Sequence, residues 1–127
     1  MDVVSPFIEL CKLFADKENE IRKEHKAERR RLREDIEAAV SLTAKYIDAN
    51  PNRPASYELS LKWEALVLEI ERLQRNNVLP QSKQYNELFS ILNTKSEYWK
   101  RPERWTMDFK EAGITLSQVL SKAKEIE

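Results

Sequence analysis

Between Pro6 and Pro51 the chain contains neither proline nor glycine, and the middle of that stretch is almost wholly charged. Nothing in it can stop a helix. Ser5-Pro6 is a good start, because Ser can cap and Pro is tolerated at the first helical position. The spacing predicts one helix over about 6–49. At about 1.5 Å per residue it would be roughly 65 Å long, about twice the diameter of a small domain. The rest of the chain is too short to cover it.

Continuity is tested by phase. At about 100° per residue, Phe7, Leu10, Cys11, Phe14, Ile21, Leu32, Ile36, Ala39, Val40, Thr43, Tyr46 and Ile47 fall within one arc of about 120°. Two separate helices would have no reason to stay in phase across the charged segment 16–37. The ends of the stripe carry large apolar side chains and are expected to pack. Its middle carries Glu18, His25, Glu28 and Arg29, a poor buried seam, because a buried unpaired charge costs several kcal/mol.

The remaining elements are punctuated by proline and asparagine. NPNRPAS (50–56) is a turn. A second helix is expected over about 56–76, with Leu59, Trp63, Leu66, Val67, Ile70 and Leu73 on one face. Leu61, Ala65 and Leu68 lie on the opposite face, so this helix is expected to be central, with neighbours on both sides. Asn76-Asn77 suits its end. A third helix follows over about 82–100, with Tyr85, Leu88, Phe89, Leu92 and Trp99 sharing a face. Pro102 starts a short segment, about 102–112, that stops at Gly113, the only glycine. A last helix is expected over about 116–126. Thr115 and Gln118 have the capping-box spacing, and Ile114 and Val119 that of the hydrophobic staple. Short loops imply antiparallel neighbours.

The fold class expected is therefore all-α: a single helical domain over 1–127, a bundle with one very long N-terminal helix, two medium helices and a short helical C-terminal pair. The second helix should pack on the first from about Leu32 to Ile47. The N-terminal half of the first helix either projects, with 16–37 as a coiled-coil arm, or is covered by the last helices or a second subunit.

Composition narrows the function. A single glycine argues against hairpins and phosphate-cradling loops. The balance of 22 basic and 22 acidic residues removes long-range attraction to nucleic acid or membrane. One cysteine excludes an intrachain disulfide. No signal pattern opens the chain and no apolar run approaches a membrane span of about 20 residues. A cytoplasmic protein with no membrane association is expected.

No catalytic constellation is present, so no catalytic, cofactor or metal-binding residue is assigned and the protein is expected not to be an enzyme. His25, the single histidine, lacks a second His or Cys on its face. The Glu-x-x-His bundle motif would need an acid where Arg22 stands. Cys11, between Leu10 and Phe14 on the stripe, reads as a packing residue.

Two surfaces could bind a partner. Arg22, Lys26, Arg29 and Arg33 form a basic ridge on one flank of the stripe. Glu20, Glu24, Glu28 and Asp35 form an acidic ridge on the other. Opposite flanks beside an apolar seam resemble the e and g edges of a coiled coil. In a parallel pair basic would face acidic; in an antiparallel self-pair like would face like. A parallel homodimer, or another helical protein, is thus favoured. The second surface is the run Tyr98 to Trp105, where Arg104 and Trp105 could form a protein hot spot. The function expected is a non-enzymatic protein–protein interaction or regulatory module acting through helix pairing. The alternative is a nucleic-acid-binding accessory protein using the basic ridge and segment 98–105.

Overall fold

The computed structural model describes residues 6–102 and 115–126. The expected segment 102–112, with Arg104, Trp105, the stop at Gly113 and the staple residue Ile114, lies outside these residues, save for Pro102. Among the described residues there are four helices and no strand. They are α1 (Pro6–Ala49), α2 (Tyr57–Arg75), α3 (Lys83–Lys100) and α4 (Leu116–Lys124).

Each boundary has a local cause. α1 runs from Pro6 without a break for 44 residues. Ser56 and Ser82 cap α2 and α3, their hydroxyls accepting from the amides of Leu59 and Tyr85. Thr115 and Gln118 form the full capping box of α4. α2 is closed off by Asn77, two residues past its end, whose φ of 60° is left-handed. The Val78 amide returns to the Leu73 carbonyl at 2.8 Å and the Asn77 amide to that of Gln74 at 3.2 Å. This is the Schellman closure, for which Asn is a tolerated residue.

Contacts between helices give their directions. The Trp63 indole donates to Thr43 Oγ1 at 3.1 Å, and Arg72 meets Glu28, so α2 runs antiparallel to α1. Ser60 and Ser96 exchange hydrogen bonds, each hydroxyl donating to the other residue's carbonyl, at 2.9 and 3.1 Å. The Ser56 amide binds the Trp99 carbonyl. α3 therefore runs back along α2. Arg33 donates to the Ile126 carbonyl, and Lys122 reaches Glu87, so α4 ends level with the start of α3. The result is an up-down-up-down bundle built around the second half of α1.

Its core contains Leu32, Ile36 and Ala39 of α1 with Trp63, Ile70 and Leu73 of α2, Leu88, Leu92 and Trp99 of α3, and Val119, Ala123 and Ile126 at the C-terminal end. The α2 stripe is buried throughout, as its spacing predicts. At one end of the bundle, Trp99 packs edge-on against Tyr46 and Tyr98, with centroids 5.2 and 4.8 Å away, and the Tyr46 hydroxyl donates to the Pro54 carbonyl.

Three expectations are corrected. The N-terminal end of the α1 stripe does not pack: Leu10, Phe14 and Ile21 are exposed, and so is Cys11. Cover begins only at His25, and the contacts of α2 and of the segment after α4 lie beyond it, at Glu28 and Arg33. The projecting arm is accordingly 6–24 and not 16–37, since the later part of the charged segment lies in the bundle. The second face of α2 is also uncovered, with Leu61 and Leu68 exposed. Both neighbours of α2, α1 and α3, pack on its wide Leu59–Leu73 face, and no described element remains for the other.

Candidate protein-interaction site

The arm is the feature that the bundle leaves unused. From Ile8 to Glu24 every residue is exposed, and only at His25 does the helix become partly covered. Leu10, Leu13, Phe14 and Ile21 are 48%, 59%, 61% and 50% exposed. These are not scattered singly. Leu10, Phe14 and Ile21 share a helical face, spaced by four and seven residues, with Leu13 on its edge. The same face carries Leu32 and Ile36, which are buried beneath α2 and α4. One helix thus presents one apolar stripe. The bundle covers its C-terminal part, and its N-terminal part meets solvent.

Local sequence explains why the arm is helical without tertiary support. It carries four Glu and three Lys, both strong helix formers. Arg22 pairs with Glu18 one turn earlier at 3.1 Å, although both side chains are largely in water, so the pair adds little.

The expected ridges divide at the edge of the bundle. Arg22, Lys26, Glu20 and Glu24 are exposed. Arg29 and Arg33 are half-buried and donate to the carbonyls of Val78 and Ile126, each at 3.3 Å. Glu28, also half-buried, lies 3.9 Å from Arg72. Arg72 in turn holds Glu69 through two hydrogen bonds of 2.6 and 3.1 Å, and that bonding pushes its guanidinium pKa further up. Arg29, Arg33 and Glu28 are therefore fasteners of the bundle, binding the loop after α2, the segment after α4 and α2 itself. Arg104 and Trp105 lie outside the described residues.

Lys26, Arg29, Arg30 and Arg33 also line one shallow depression of about 420 Å³. A second groove, of about 390 Å³, lies between α1 and α2, floored by Ala38, Leu42, Ala65 and Leu66 with Asp35, Lys62 and Glu69 around it. Among the described residues no group of three or more His, Cys, Asp or Glu side chains could hold a metal ion. No described helix is long and apolar enough to cross a membrane.

Residue patterns alone placed Leu10, Phe14 and Ile21 with the core. The available signal was length: three shorter helices cannot line a helix of 44 residues. Glu18 on the stripe, with Lys17 and Glu24 at its edge, interrupts it within the arm.

No protein-family model, curated protein or solved structure matches this chain.

Proposed function

We propose that this chain is a non-enzymatic interaction module of the cytoplasm whose projecting arm pairs with another helix. One observation carries the reading: the apolar stripe of α1 continues past its bundle, with Leu10, Phe14 and Ile21 about half exposed. A surface helix that needs only to be dissolved gains nothing from such a stripe, and clustered exposed apolar side chains mark interaction sites. Leu10, Phe14 and Ile21 stand at i, i+4 and i+11 on one helical face, and helix recognition uses anchors that share a face. The exposed single thiol, Cys11, suits a reducing compartment.

The test is a photo-crosslinking residue placed singly at Leu10, Phe14 or Ile21, and for comparison at Lys12 or Asn19 on the other side of the helix. A discrete adduct from the first set and none from the second is expected. Adducts from neither set, or equally from both, overturn the reading.

A second reading rests on the depression lined by Lys26, Arg29, Arg30 and Arg33, which could seat the phosphates of a nucleic acid. It predicts a low-salt mobility shift that weakens when Lys26 and Arg30 become Ala, with a shallower salt dependence. Absence of any shift removes it. The acidic residues Glu20, Glu24 and Glu28 on the neighbouring flank weigh against it, because they repel phosphate.

A further inference from the structure

We infer that the helix covering the arm is the arm of a second copy of this chain, running antiparallel to the first. The inference rests on the helix-pairing reading and adds the partner and its direction.

Continuity of α1 decides the direction. Beyond Glu28 the stripe's face is filled by the chain's own α2 and α4. A parallel copy laid on the arm would bring its own bundle to the same level on the same face, where that space is taken. An antiparallel copy places the two bundles at opposite ends of the paired arms, and neither obstructs the other.

The edge of the bundle also sets the register. The arm spans 6–24 and coverage begins at His25. If each tip stops where the other copy's bundle starts, the arms overlap along their whole length, about 28 Å. That overlap sets Leu10 against Ile21 of the second copy and Phe14 against its Lys17. The aliphatic stem of Lys17 can cover the Phe14 ring while its ammonium meets the ring face. The flanking pairs become Leu13 with Glu20 and Cys11 with Glu18, so no like charges meet. A parallel pairing would instead stack Lys17 on Lys17 and Glu24 on Glu24 in the seam. Of the ridge residues whose like charges were expected to face each other, Arg29, Arg33 and Glu28 are engaged within the bundle, and of those left exposed Glu20 faces Leu13 in this register. The contact is isologous and closes at two copies.

The experiment uses the full chain with Cys11→Ser as background. Light scattering at about 100 µM should give twice the 15.0 kDa chain mass. Phe14→Glu should give one chain mass with unchanged melting of the bundle, since Phe14 lies outside the core. In the same background, Leu10→Cys and Ile21→Cys are mixed and treated with a short bis-maleimide. Crosslinked dimer from the mixture, and little from either variant alone, is expected. Efficient linking of Leu10→Cys to itself would overturn the antiparallel arrangement. A single chain mass at 100 µM would overturn self-pairing altogether. The helix-pairing reading would survive that result if a seam-specific photo-adduct with another protein still formed, and would fall with it if none did.

Discussion

Thr43 stands in a two-step relay inside the core. It accepts from the Trp63 indole at 3.1 Å and donates to the Ala39 carbonyl at 2.7 Å, and it is fully buried. The hydroxyl satisfies the Trp63 indole N–H inside the core, whereas the indole N–H of Trp99, buried likewise, has no hydrogen-bond partner among the described residues. Thr43→Val keeps the shape and orphans that donor. Denaturant unfolding should show a loss of about 1–3 kcal/mol. Lys95 is a cation buried to 5% exposure on α3. Burial, with Arg53 nearby, pushes its pKa down to about 8. The charged form is therefore disfavoured in the folded state. Below pH 8 the lysine is protonated whether folded or not, and the full cost is present. Between pH 8 and about 10.5 the folded form has released the proton that the unfolded form still holds, so stability rises with pH across that window. Lys95→Met should flatten the rise and add on the order of 2–3 kcal/mol at pH 7. A melting series from pH 7 to 10.5 on both proteins checks this.

At the scale of elements, the ends of α2 and the arm of α1 show two ways in which helices are supported. Asn77 holds a left-handed backbone at φ 60°, which glycine adopts at no steric cost. Asn77→Gly should be tolerated, within about 0.5 kcal/mol of the natural protein either way, whereas Asn77→Val should cost 1 kcal/mol or more. Thermal melts of the two variants separate them. The arm has no such tertiary lock. Isolated helices of its length are marginal in water, so its amides should exchange fast in dilute solution and slow markedly as concentration rises. Hydrogen exchange across a dilution series, read at residues 8–24 against residues 32–46, measures this directly.

These elements also show what could be read without coordinates. The helix start signals at Ser56, Ser82 and Thr115 mark observed starts, because caps act over three residues and are local. The Leu59–Leu73 face was legible for the same reason, through its period. What could not be read is which apolar residues find a neighbour. Phe14 and Leu32 have the same phase and similar hydrophobicity, yet one is exposed and the other buried. The difference lies in where α2 and α4 stop along α1, a tertiary fact with no trace near Phe14. Leu61 and Leu68 were misplaced likewise. Arg29 and Arg33 looked like binding residues because their charge is visible in the sequence, while the Val78 and Ile126 carbonyls they bind lie 49 and 93 positions away.

For the molecule as a whole, the division between bundle and arm makes a clean prediction. A chain lacking residues 1–24 keeps all the core side chains. It should fold to the same bundle, with an unfolding midpoint within a few degrees of the full chain, and should be a single chain mass at any concentration tested. Loss of folding would mean that the arm belongs to the cooperative unit.

The unbroken run of α1 through both halves couples them like two cams on one shaft. No glycine or proline lies between Pro6 and Ala49 to let one half turn independently. Two alanines inserted after Glu24 would rotate the arm by about 200° relative to the bundle. Phe14 would then face away from the side on which α2 and α4 sit, without one contact of the core being changed. Seven inserted residues would nearly restore the angle and only lengthen the rod by about 10 Å. The azimuth of the arm, as well as its hydrophobicity, is thus a property that the bundle dictates from a distance.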